Sequence, residues 1–195
     1  MASLAIHYVI ASEYCKKNKD VDFVDFLYGT LYPDLSQHKN KIHYSTFLEA
    51  QTLEEIANNK IGLVEYVRNN VLNNDFTLGE FMHLLTDCVF SKYILKDCTI
   101  FKKINITTLK QAKNELYNDY IRINYLLAKK YKIDLTQLPK KGRNTSTLSP
   151  TLLNMEEIVY FIDFCANFDL TSIYEKIKRS KNLKQINIKF KKPLR

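Results

Sequence analysis

The segment GEFMHLLTDCVF, residues 79–90, carries the residues best suited to chemistry: Glu80, His83 and Asp87 recur at spacings of three and four. On a helix this spacing sets the three side chains on one face, with Cβ atoms about 5–6 Å apart. Phe81, Met82, Leu84, Leu85, Cys88, Val89 and Phe90 surround the same axis. Such a helix is apolar nearly all round and belongs inside the fold. An ionised Asp buried there without a partner is very costly. The stripe therefore needs a metal, a base or a closed polar network, and a His83–Asp87 hydrogen bond is the simplest case of the last.

The chain holds four histidines: His7, His38, His43 and His83. His7 sits among Leu4, Ile10, Ala11 and Tyr14, an inward-facing position on an early helix. His38 falls in the polar run QHKNK and reads as solvent-facing, whereas His43 follows the loop that begins at a Pro33-Asp34 turn. Imidazole together with carboxylate is the ligand chemistry of zinc, manganese or iron, and a lone His-x3-Asp supplies too few donors. His7, Asp34, His43, His83 and Asp87 together supply enough for one divalent ion, or for two that share a carboxylate.

The elements that must position these residues read as helices. Glycine and proline number only 4 each, whereas a fold of many strands and tight turns needs more of both. A first helix is expected from Leu4 to Lys16, then a short apolar run ending near Gly29. Pro33 disfavours helix for the residue before it, so Asp34 is expected in a turn or loop. Thr52-Leu53-Glu54-Glu55 matches a capping box opening a helix to about Asn73, and Thr77-Leu78-Gly79-Glu80 a second, opening a helix to about Leu95. As the last residue of that box, Glu80 has a capping role open to it as well as a chemical one. Further helices are expected from Thr108 to Tyr131, Met155 to Asn167 and Leu170 to Ser180, with INIKF near the end as a short strand or ordered tail. The expected fold is a single all-α domain of six or seven helices over residues 1–175, with a basic tail at 176–195.

The 195 residues carry a net charge of +8 and are 46% hydrophobic, too apolar for a disordered chain. Nine Lys or Arg and one acid lie between Glu175 and Arg195, so most of the surplus is in the tail. Polyanion contact through that tail, with nucleic acid or an anionic membrane, is one functional reading; with Phe190 its only aromatic residue, base stacking has little support. Cys15, Cys88, Cys98 and Cys165 show no CxxC spacing and suggest neither a zinc ribbon nor a disulfide framework. The first residues lack a basic n-region, and no apolar stretch approaches the roughly 18 residues of a membrane span. A reducing, cytoplasmic setting is expected.

SLAIHYVIASEY, FLYGTLYPDLS, KIHYS and GEFMHLLTDCVF, taken in order, resemble the zinc-dependent phospholipase C fold, closest to its small bacterial relatives of unknown substrate. The likeness covers roughly residues 2–95, with weaker support from LYNDYIRIN and FIDFC. It implies a phospholipase C- and nuclease-like all-α fold, with metal bound by His7, Asp34, His43, His83 and Asp87, the last bridging two ions. This chain has no Trp and no histidine after His83, so the N-terminal tryptophan and the third-ion ligands of the secreted enzymes are missing.

The leading expectation is a hydrolase of a small phosphoester using one or two zinc ions, with Asp34 orienting or deprotonating the attacking water. Tyr117 and Asp119 are candidates to support ligands or face substrate, although Asp119 also suits an exposed carboxylate near Arg122. A non-catalytic helical protein with a structural metal or a partner-binding role is the alternative. An HD-type phosphohydrolase fits poorly because no His-Asp dipeptide occurs.

Overall fold

In the computed structural model, which describes residues 2–37, 61–95, 109–134, 136, 138, 147–150, 152–180 and 189, the described chain holds seven α-helices and no strand. The all-α class expected from sequence is the class observed.

Most helix starts have a visible local cause. Ser3 caps α1 (Leu4–Lys17) by accepting the Ile6 amide, and Lys16 and Lys17 complement the helix dipole in its last turn. Asp22 caps α2 (Phe23–Leu35), accepting the Val24 and Asp25 amides at 2.9 Å each. The described part of the helix expected from Thr52 is α3 (Ile61–Asn69); its expected start lies outside the described residues. After it come α4 (Asp75–Phe90), which continues into a π-helical turn at Ser91–Leu95, then α5 (Leu109–Tyr131), α6 (Met155–Cys165) and α7 (Leu170–Arg179). Lys132 takes a left-handed φ of 53°, and the Ile133 amide closes back on the Ala128 carbonyl, which ends α5. Lys176, Lys178 and Arg179 belong to the last turn of α7, where Ile177 is buried. INIKF, apart from Lys189, lies outside the described residues.

Two expectations are corrected. The second capping box is built from Asn74 and Thr77, so α4 starts at Asp75: the Thr77 amide donates to Asn74 Oδ1 at 2.8 Å, and the Asn74 amide donates to Thr77 Oγ1 at 3.3 Å. Asn74 is as good a cap as Thr77 and lies about one turn earlier, which releases Glu80 from capping. Pro33 does not end α2 either. Its missing N–H falls in the final turn, and Asp34 is helical and buried rather than in a loop. Packing of α2 on α4, the most extensive helix pairing described, outweighs the local preference of the residue before proline.

That pairing depends on two glycines. A Cβ on Gly29 would meet the Phe76 carbonyl oxygen at 2.0 Å, and one on Gly79 would meet the Phe26 carbonyl oxygen at 2.2 Å and the Thr30 nitrogen at 2.7 Å. The backbones of α2 and α4 therefore touch, and only glycine permits it at either position. α1 packs against α2, α4, α5 and α6, and Ser3 Oγ donates to Asn124 Oδ1 of α5 at 2.8 Å. Phe26, Phe81, Phe90 and Phe161 fill the core between these helices, and Phe90 meets Phe161 edge to face at 5.4 Å. Among the described residues no helix is long and apolar enough to cross a membrane.

Candidate metal centre

α1 and α4 are buried on nearly every side, so polar groups at their crossing have to satisfy one another. His7 and His83 are fully buried and Asp87 is 3% exposed. The ring centroids of His7 and His83 stack at 3.9 Å with planes 16° apart. Asp87 lies beside both: Oδ1 is 3.1 Å from His7 Nε2 and Oδ2 is 3.4 Å from His83 Nε2. The Ala2 amide also donates to Asp87 Oδ1, at 2.7 Å. One donor atom from each of the three side chains falls within 4.8 Å of the other two.

The hydrogen bonds fix more than the distances. His83 Nδ1 is 2.8 Å from the Thr30 carbonyl oxygen. A carbonyl can only accept, so Nδ1 carries the hydrogen. In the neutral ring the Nε2 lone pair then faces a carboxylate oxygen, an arrangement that requires a proton or a metal between them. His7 is frustrated in either tautomer. If Nε2–H donates to Asp87, the buried Nδ1 has no partner among the described residues; if Nδ1 carries the hydrogen, a lone pair faces the carboxylate. The Gly29–Gly79 contact builds this geometry, because it brings the Thr30 carbonyl against the turn of α4 that bears His83.

Electrostatics follow the same pattern. Burial, reinforced by the charge of His83, holds His7 below the ordinary imidazole range. Burial also pulls His83 down, but Asp87, Asp34 and the Thr30 carbonyl outweigh it and raise His83 above that range. Burial pushes Asp87 up, yet the positive charge gathered around it, His83 and His7 included, holds it well below the usual carboxylate range. Of the two stacked imidazoles, His83 therefore holds a proton more tightly than His7.

Of the five residues expected to bind metal, three come together: His7, His83 and Asp87. Asp34 is buried in the last turn of α2 and its charge acts on both imidazoles, without joining the three-residue group. His43, like His38, lies outside the described residues. Glu80 is half-buried at the outer end of the stripe, where the Tyr66 hydroxyl donates to its Oε2 at 3.1 Å and burial raises its carboxyl. Asp119 is fully buried rather than an exposed carboxylate; its oxygens accept the Leu152 amide, the Leu153 amide at 2.8 Å and Arg122 Nη1 at 2.9 Å. These contacts tie the start of the 152–154 segment to α5. Tyr117 is 42% exposed and meets Tyr120 edge to face.

The Thr30 carbonyl and the Tyr66 hydroxyl escaped sequence reasoning. A carbonyl has no side-chain signature, and Tyr66 reads as one more core aromatic on α3. Comparison of this chain with known protein families, with curated proteins and with solved structures finds no match.

Proposed function

We propose that the protein binds a divalent transition metal, zinc by its donor set, through His7, His83 and Asp87, and uses it to hydrolyse a phosphoester. The observation that carries the metal reading is the fully buried grouping of two imidazoles and a carboxylate, in which the Thr30 carbonyl holds the hydrogen on His83 Nδ1 and leaves the Nε2 lone pair facing Asp87. Two nitrogens and a carboxylate oxygen are zinc chemistry. The histidine nitrogens lie 3.1 and 3.4 Å from different oxygens of the Asp87 carboxylate, each close to the separation of two ligands that share an ion. Neighbouring ligands of tetrahedral zinc lie about 3.3 Å apart when each is about 2.0 Å from the ion. The Thr30 carbonyl would fix the His83 tautomer that turns the Nε2 lone pair toward the ion.

A bound ion would supply an acidified water and polarise a phosphoryl oxygen. Asp34, whose charge reaches both imidazoles, is the carboxylate we assign to take that water's proton. The choice of a phosphoester rests on the resemblance of the ordered motifs to zinc-dependent phospholipase C. The test is elemental analysis of gently purified and zinc-reconstituted protein, followed by assays on phosphomonoester and phosphodiester panels. Near-stoichiometric zinc is expected in the parent and is lost in His83→Ala; Asp34→Asn should keep zinc and lose turnover. A parent that holds no transition metal after reconstitution overturns the proposal.

One observation favours a second reading, a metal-binding core without catalysis. Asp87 already has the Ala2 amide and both imidazoles as partners, which suits a purely structural centre. Zinc that raises the melting temperature while every phosphoester stays intact would select this reading.

A further inference from the structure

We propose that the Glu80 carboxyl is a proton-dependent fastener of α3 on α4. Protonated, it donates to the Tyr66 hydroxyl and completes a chain of hydrogen bonds from Glu80 through Tyr66 to the Thr77 carbonyl. Ionised, it leaves that chain one hydrogen short, and α3 loosens.

Three oxygens meet at this joint and need two hydrogens between them. The hydroxyl of Tyr66, a buried residue of α3, lies 2.9 Å from the Thr77 carbonyl oxygen and 3.1 Å from Glu80 Oε2. The phenol brings one hydrogen and the carbonyl brings none. While Glu80 is ionised, the Tyr66 hydrogen is divided between two acceptors and neither bond is whole. The second hydrogen has to come from the carboxyl.

The surroundings favour that protonated form. Burial raises the Glu80 carboxyl, while the Tyr66 hydroxyl and the charge of His83, one turn further along α4, act in the opposite sense and are outweighed. Among the described residues, Glu80 has no ion pair with Lys or Arg, and α1, α2 and α7, the other helices packed on α4, bring no charged group to bear on it. A carboxyl that keeps its proton above the ordinary range stabilises the fold at low pH, and the contribution is lost as pH rises through the raised value. α3 is the element that feels the loss. It has nine residues, too few to hold a helix alone, and it packs on α4 and α7 with the Tyr66 ring stacked on Phe81 at 6.5 Å. None of the three residues of the proposed metal centre belongs to this chain of bonds, so the inference stands apart from the proposed function.

The test uses the full chain and its Glu80→Gln variant, whose side-chain amide donates to Tyr66 at every pH. Carboxyl-carbon NMR, with Glu80 assigned by its absence in the variant, should show Glu80 titrating above the ordinary glutamate range. Amide exchange of α3 is followed by mass spectrometry in both proteins between about pH 5 and pH 9, and the ratio at each pH cancels the base catalysis of exchange itself. The two proteins should exchange alike below the Glu80 midpoint. Above it, α3 of the parent should exchange about fivefold faster than α3 of the variant, the scale of one hydrogen bond, while α1 stays matched. Tyr66→Phe keeps the ring on Phe81 and removes both bonds, so its α3 should exchange faster than the parent's at low pH and lose the pH response. A Glu80 that titrates in the ordinary range, a parent-to-variant ratio that stays flat with pH, or a pH response that survives in Tyr66→Phe would each overturn the proposal.

Discussion

Replacing Gly79 by alanine tests the link between helix packing and the proposed metal centre. The new Cβ would stand 2.2 Å from the Phe26 carbonyl oxygen and 2.7 Å from the Thr30 nitrogen, both backbone atoms that no rotamer change can move aside. Ordinary contact begins at 3.4 Å, so α4 must retreat by about 1.2 Å. His83, one turn further along α4, moves with it. Its 2.8 Å hydrogen bond to the Thr30 carbonyl then passes beyond 3.5 Å and breaks. Overpacking costs about 1–3 kcal/mol, and leaving a buried donor unsatisfied costs about 1–3 kcal/mol more. The better helix propensity of alanine returns about 1 kcal/mol. A net loss of about 3 kcal/mol is expected in urea unfolding. Zinc affinity should fall about 10–100-fold, as when a group that orients a ligand is lost. If Gly79→Ala instead gains about 1 kcal/mol and binds zinc like the parent, propensity rules at this position and the packing argument fails.

Three further expectations follow from individual groups. Asp119→Asn should lose about 3 kcal/mol in chemical denaturation, because a buried, multiply bonded carboxylate is replaced by a group that cannot accept from all its donors; zinc stoichiometry should stay unchanged, and loss of zinc in a folded variant would return Asp119 to the site. Burial raises the Tyr14 hydroxyl to about 12 and the Cys15 thiol to about 11, so both ionise more readily in the unfolded chain. Their stabilising effect is full below about pH 9 and is lost between about pH 9 and 12, by about 2–3 kcal/mol for each group. Tyr14→Phe should accordingly shift the alkaline unfolding midpoint upward, and an unchanged midpoint would count against burial as the cause. Because His83 holds its proton more tightly than usual, zinc bound as we propose would have to displace that proton; apparent affinity by competition with a chelator should weaken about tenfold per pH unit below the raised His83 value. A flat profile would mean that His83 is not a ligand.

The readability of the chain divides along physical lines. Helical periodicity and low glycine content made the all-α class visible, and the apolar surround of Glu80, His83 and Asp87 marked α4 as central. His7 was legible for the same reason: its apolar neighbours left it nowhere to go but inward. Boundaries were harder, because Asn74 and Thr77 compete as caps and sequence alone does not rank them. Asp34 was misplaced by a local proline rule that packing against α4 outweighs. Asp119 looked like a solvent carboxylate because its donors, the amides of Leu152 and Leu153, are 33 and 34 residues away and are backbone groups. The contact of Gly29 with α4 was invisible for a related reason, since what meets it is a carbonyl of Phe76 and not a side chain.

The glycine contact between α2 and α4 also has a genetic consequence. When two side chains collide, a smaller residue opposite can restore the fit, and such pairs drift together through evolution. At Gly29 and Gly79 the collision would be with main-chain atoms that every amino acid shares. No replacement at Phe26, Thr30 or Phe76 can make room. A selection for revertants of Gly79→Ala should therefore return glycine itself, or changes that reposition a whole helix, and should yield no compensating residue across the contact.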